Sequence, residues 1–322
     1  MTGALYFPYI RVPQNDWFSR VLLYWDKASA IVPMNYWQHP EQLGPYMVEL
    51  IQERLVEPVA PVAYVGQIDN FAANFATYVV EKHSERLNKK HAKDQWPRIH
   101  IEKLGDLASE LERLGLARRA DGFWYQIEPE TADDFMAYLA GAISTSSNYD
   151  LVPVTDDRKF MSGFSADARQ AEQRARSIIL EGILVGPRAD ISAYNLRRFK
   201  ERYGNELIAF RRRVEYEVDN LLAINDEESR TRRAKRLVST LKEEIAEIES
   251  YLSQPQYGAI ASFGSLCALG ALGVTAVADA LAQNHFGYAA GMLGLLALVH
   301  GTRRQPPTSS VAFAAVANQF NS

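Results

Sequence analysis

Two carboxylates stand side by side at Asp156 and Asp157, directly behind the apolar run Leu151 to Thr155. Acidic side chains at the end of a strand are where metal-dependent nucleases keep their ligands, so this pair names a metal-dependent nuclease as the enzymatic alternative. Such a centre needs further carboxylates. The first apolar run, Ala4 to Ile10, carries none, which leaves Asp26 and Asp69 as candidate partners. Aspartate also favours turns and helix caps, and that structural duty is the competing reading of both residues. The six histidines, His39, His83, His91, His100, His285 and His300, show neither HxH nor HExxH spacing, so no metal is expected. A phosphate-binding GxxxxGK[ST] loop, a dinucleotide GxGxxG and a GxSxG elbow are likewise missing, and no cofactor is expected.

Cys267 is the single cysteine, which rules out an intramolecular disulfide and a cysteine-based zinc site; in its apolar surroundings it reads as a small core residue. Trp17, Tyr24, Trp25, Tyr36 and Trp37 line either a pocket or, more simply, a core. Taken together, these residues lean away from an enzyme.

The elements that position them alternate in type. Ala4 to Ile10, Ala28 to Val32 and Leu151 to Thr155 read as strands, while Asp16 to Asp26, Gln42 to Glu53 and Ile68 to Leu87 carry helical spacing. Val56 to Val62 holds too many prolines for a central strand. Ile99 to Ile101 is a further strand candidate. Leu104, Leu107, Leu111 and Leu114 mark one amphipathic helix that Gly115 stops, and Asp121-Gly122 between apolar runs signals a hairpin over Leu116 to Ile127. Thr131 is the expected N-cap of a helix over Ala132 to Ile143. The piece from Leu104 to Ile127 resembles the last helix and wing of a winged-helix module, with Arg118 and Arg119 where a phosphate contact would form. Asp106, Glu110 and Glu112 on its helix and a net charge of −4 argue against nucleic acid as the partner.

The second half changes character. Ser165 to Leu180 and the long run Ile191 to Leu222 are helical, the latter with Phe199, Tyr203, Leu207, Phe210, Val214, Val218 and Leu221 at steps of three and four. After the polar loop Asn225 to Ser229, Leu237, Leu241, Ile245, Ile248 and Leu252 repeat those steps over Arg230 to Leu252. Two such helices joined by a short loop predict a long antiparallel helical hairpin.

Charge is partitioned rather than scarce. The chain of 322 residues has 35 Lys plus Arg and 39 Asp plus Glu, yet the 46 residues from Tyr257 to Thr302 contain only Asp279. Tyr257 to Ala278 would make about 33 Å of helix, enough to cross a bilayer core, and His285 to His300 about 24 Å, which is short unless its flanks contribute. Eight of the 19 glycines lie here, and Gly287 and Gly291, with Gly294 nearby, form the small-residue pattern that lets membrane helices approach closely. This predicts an apolar Gly/Ala-rich helical hairpin with Asp279 at its tip. Phe263, Leu266, Leu269, Leu272, Val277, Phe286, Met292, Leu295 and Leu298 are its expected contacts with membrane or partner helices. With Arg303 and Arg304 beyond it, both ends belong on the cytoplasmic side. A hairpin buried in a soluble helical domain, or one sheltered in water that inserts on activation, fits the same residues.

LYFPYI at residues 5–10, Trp17, LLYWD at 22–26 and IVP at 31–33 resemble an uncharacterised bacterial family, a domain of unknown function, that opens in this manner. TADDFMAYLA at 131–140, VPVTD at 152–156, and Phe199 with ELIAFRR at 206–212 extend the likeness to about residues 4 to 222. The resemblance implies a bacterial source and no activity, and the apolar hairpin is an addition to it.

These features predict an α+β or α/β N-terminal domain over 1–163 with a winged-helix-like hairpin element. A mainly α half follows, made of a helical hairpin domain at 164–254, the apolar hairpin at 255–304 and a tail at 305–322. The function they suggest is a non-enzymatic membrane-associated effector or scaffold with an N-terminal sensing domain, in a bacterial stress or phage-defence setting. A soluble oligomeric scaffold is the alternative beside the nuclease. A homo-oligomer is expected, as is a cytoplasmic body associated with the inner membrane through 257–300.

Overall fold

The computed structural model describes residues 2–83, 96–146, 150–157, 159–160, 168–184, 192–252 and 309–319, and divides the chain into two compact units, Met1–Gln170 and Ala171–Ser322. In the first unit the apolar runs near the N-terminus become strands β1 (Thr2–Tyr6), β2 (Ala28–Ile31) and β3 (Val56–Val59). They join β7 (Asp150–Val154) in a parallel four-stranded sheet of order β3-β2-β1-β7. Tyr6 pairs with Ala30 on one side and with Val154 on the other. Pro58 is tolerated because β3 lies at the sheet edge, where a missing N–H disrupts no central ladder. β1 stops at Tyr6, four residues short of its expected end, just before the Phe7–Pro8 bond.

Helices cover both faces, as a parallel sheet requires. Asn15 accepts the Phe18 amide at 2.9 Å and so caps α1 (Asp16–Tyr24), whose Phe18 meets Tyr6 edge to face with ring centroids 5.7 Å apart. Between β2 and β3 run α2 (Asn35–Gln38), a short 3-10 turn and α3 (Pro45–Gln52). On the opposite face, Leu5, Phe7, Ile31 and Val59 point into a core built largely by the segment between β3 and β7.

That inserted segment has its own order: α4 (Val62–Val65), α5 (Phe71–His83), β4 (Arg98–His100), α6 (Ile101–Leu104), α7 (Leu107–Arg113), β5 (Ala117–Arg119), β6 (Trp124–Ile127) and α8 (Pro129–Ser146). β4, β6 and β5 form an antiparallel sheet in that order. From α5 to β6 the succession is helix, strand, helix, helix, strand, strand. The single helix expected from Leu104 to Leu114 is instead two, because Gly105 takes φ +55° and ends α6. Thr131 is not the cap of α8. Its backbone N–H and its hydroxyl both donate to Glu128 Oε2 at 2.8 Å, so Glu128 caps the helix ahead of Pro129.

The second unit is helical: α9 (Ala168–Ile183), α10 (Ala193–Arg202), α11 (Gly204–Leu222), α12 (Glu227–Leu252) and, near the C-terminus, α13 (Ala312–Gln319). The uninterrupted helix expected over Ile191 to Leu222 breaks at Tyr203, which leaves helical geometry at φ −112°, ψ 31°. Phe199, Phe210, Val214, Val218, Leu241 and Ile245 are buried, as their spacing demands. The segment after Gln305, expected as a tail, contributes a core helix. Val311 to Ala315 are all buried, and Phe313 lies 5.6 Å from the Phe199 ring and 5.7 Å from Phe210. Asn318 also donates to the Ile183 carbonyl at the end of α9, at 3.2 Å. Among the described residues no helix is long and apolar enough to cross a membrane. The apolar window from Tyr257 to Thr302, with every contact residue, glycine and tip residue assigned to it, lies outside the described residues.

Candidate functional site

The parallel sheet winds away from β1 in both directions, to β2 and β3 on one side and to β7 on the other. Connections that leave a strand in opposite directions open a crevice at its carboxyl end, and ligands of such sheets bind there. The residues at this end are Phe7 to Tyr9 after β1, Asn15 at the start of α1, and Thr155 to Asp157 after β7.

The expected carboxylates do fall at this crest, and both do local structural work. Asp156 accepts the Tyr6 hydroxyl at 3.2 Å and the Asn15 amide at 3.4 Å, beside the N-terminus of α1, whose dipole favours a negative charge. Burial and the Asp156 carboxylate hold the Tyr6 phenol well above its ordinary pKa, so it stays a donor. Asp157 closes a turn: its carboxylate accepts the Lys159 amide at 3.1 Å, and its own N–H donates to Thr155 Oγ1 at 3.2 Å. Lys159 lies 3.0 Å from Asp133 and 3.9 Å from Asp157, and it supplies the countercharge to both. Asp26 precedes β2 and so sits at the opposite end of the sheet from Asp156. Among the described residues no group of three or more potential ligands could hold a metal ion.

The crest also lacks a phosphate cradle. The connection from β1 to α1, Phe7 to Asn15, contains two prolines and no glycine, so it offers few free amides in a tight turn. What distinguishes this end is a contribution from the inserted element that sequence reasoning missed. Lys103 of α6 is only 3 % exposed and donates to the Pro8 carbonyl at 3.2 Å. Burial alone pulls its ammonium down to about 7. His100, 1 % exposed, accepts the Glu102 amide at Nδ1, 3.3 Å away, and burial lowers its pKa too. Its ring sits 5.2 Å from Trp124 and 5.7 Å from Phe123. Glu102 itself turns away to accept the Met34 amide at 2.7 Å, at the carboxyl end of β2. A lone lysine between Ile101 and Leu104 carries no sequence signal for any of this.

The five aromatic residues near the N-terminus divide between roles. Tyr24 and Trp25 are buried against each other at 5.2 Å, Trp17 packs near Tyr6 at 6.2 Å, Tyr36 is half-buried, and Trp37 is half exposed with its indole N–H on the Val32 carbonyl. Comparisons of the chain with known protein families, with curated proteins and with solved structures give no match.

Proposed function

We propose that the protein is a non-enzymatic, membrane-associated effector or scaffold, with the α/β unit as its sensing module. The observation that carries this reading is where the almost uncharged window is tethered. α12 ends at Leu252 and α13 begins at Ala312, and both helices belong to one helical unit, with Phe313 buried against Phe199 and Phe210. A segment fixed at both ends to one body must leave it and come back. If such a segment enters a bilayer, it crosses an even number of times, which suits two apolar stretches separated by Asp279 to Asn284. α11 and α12, joined through Ala223 to Asp226, form the antiparallel hairpin that carries this insertion, and a homo-oligomer assembles through the same helices.

Membrane fractionation tests the reading. Full-length protein is expected in the carbonate-resistant pellet, and a variant with residues 257–302 replaced by a short polar linker in the supernatant, still helical. With Cys267→Ser and Asp279→Cys, the tip thiol should react with a membrane-impermeant reagent from outside intact cells. Full-length protein that stays folded and monodisperse without detergent would overturn the proposal. The carboxylate pair supports the nuclease alternative poorly, since Asp156 takes up the Tyr6 hydroxyl and the Asn15 amide while Asp157 closes a turn beside Lys159.

A further inference from the structure

We propose that the corner between β4 and α6 is a binding site for a small oxyanion, a carboxylate or phosphate group, held by Lys103 and His100 beneath the carboxyl end of β1. The proposal goes beyond the membrane reading and does not depend on it. Two buried hydrogen-bond donors lie at this corner, three residues apart in the chain and near enough for the Lys103 charge to act on the His100 ring. The Lys103 ammonium has three protons and meets the Pro8 carbonyl; among the described residues no carboxylate pairs with it. Because His100 Nδ1 accepts the Glu102 amide, a neutral ring carries its proton on Nε2, and Nε2 is buried without a partner. Glu102 is the obvious acid to answer both, yet its carboxylate is committed to Met34.

Natural proteins seldom bury donors in this state, because each loses its water without replacing it. A cation in the corner would be repelled by Lys103, and a neutral acceptor would leave the ammonium's charge unanswered. An oxyanion satisfies both donors and supplies the opposite charge in a poorly solvated place, where charge-assisted hydrogen bonds are strongest. The location agrees with the chemistry, since the carboxyl end of a doubly wound sheet is its usual ligand side. The inserted element contributes the cation that the glycine-free β1–α1 connection does not.

The burial-lowered Lys103 gives the site a signature. Above about pH 7 the empty corner favours an uncharged amine, whereas a bound anion holds the proton on it, so binding takes up a proton and tightens as pH falls from 8.5 to 6.5. The test uses full-length protein in detergent, titrated at constant ionic strength with inorganic phosphate, with acetate and, as control, with chloride, while the unfolding temperature is followed. The expected result is a saturable rise with phosphate or acetate, at least fivefold tighter at pH 6.5 than at 8.5 for acetate, which does not itself titrate in that range. The preferred anion distinguishes a phosphate ligand from a carboxylate. Lys103→Met should abolish the response, and His100→Phe should weaken it at least threefold. If Lys103→Met does not fold, Lys103→Gln takes its place. No saturable response to either anion, a response equal to that of chloride, or an undiminished response in the lysine variants would overturn the site and leave only buried water or bare donors in the corner.

Discussion

Lys103 in the α/β unit and Arg176 in the helical unit are both withdrawn from water, 3 % and 4 % exposed, yet the chain surrounds them differently. Arg176 on α9 reaches Glu215 on α11 through two parallel hydrogen bonds of 2.8 and 2.6 Å, and Glu172 one turn earlier on its own helix. Its fork-shaped head matches a carboxylate, and the pair ties α9 to α11. Lys103 has a carbonyl oxygen for company and no acid. One cation is answered by two carboxylates of its own unit, while the other meets only a carbonyl oxygen at the place where a parallel sheet accepts ligands. The contrast teaches that burial of a charge is informative only together with the inventory of its partners.

Substitution by methionine should separate the two cations by sign. All five tryptophans, Trp17, Trp25, Trp37, Trp96 and Trp124, lie in the α/β unit, so indole fluorescence follows that unit alone, whereas far-ultraviolet circular dichroism reports the helices of both units. Lys103→Met removes an amine whose pKa has fallen from 10.5 to about 7, and it should stabilise the fluorescence transition by on the order of 3 kcal/mol at pH 7. Between about pH 7 and 10 the unfolded chain binds that proton and the folded chain does not, so wild-type stability climbs with pH across this window. The advantage of the variant therefore shrinks as pH rises and vanishes near pH 10.5. A gain that is independent of pH would mean that the amine is solvated.

Arg176→Met should act in the other direction and on the other signal. Removing one member of a buried ion pair is strongly destabilising where the remaining charge stays buried, but the side chains of Glu172 and Glu215 are 37 % and 40 % exposed and recover water. A loss of about 2 kcal/mol is expected, read by circular dichroism in urea, with the fluorescence transition unmoved. If both signals shift together, the two units unfold as one and the comparison between them collapses.

Much of this framework is legible in the residues themselves. Short apolar runs closed by Pro33 or followed by Asp156 fall where strands form, and the excess of proline in Val56 to Val62 correctly denies that run a central place. Spacing fails where the backbone departs from the geometry that spacing assumes. Leu104, Leu107 and Leu111 repeat as in one helix, but Gly105 sits between them at positive φ, and periodicity cannot register a turn made by a residue without a side chain. Val311 to Ala317 fails for a different reason: a helix packed nearly all round has no polar face, so it shows no stripe. The Lys103 corner is the least legible part. Its hydrogen-bond partner is the carbonyl of Pro8, 95 residues earlier in the chain, and a single lysine in an amphipathic run ordinarily lies on a wet face.

The carboxyl end of the sheet offers a last and smaller test, because Asp156 lies at the same end of the sheet as Lys103 but on the side of β7. Asp156→Ala removes the acceptor of the buried Tyr6 hydroxyl and a longer contact to the exposed Asn15 amide, so a loss of about 1 kcal/mol in the fluorescence transition is expected. Asp157→Ala should cost less, since it gives up only a local turn around the Lys159 amide. Millimolar Mg²⁺ or Mn²⁺ should leave the wild-type midpoint where it is, because Lys159 already neutralises Asp133 and Asp157. A midpoint that rises with either metal and ceases to do so in the Asp156→Asn, Asp157→Asn double variant would reverse the assignment. The acids would then be ligands that a lysine holds ready, and the chemistry of this end of the sheet would lie at β7 rather than at the β4–α6 corner.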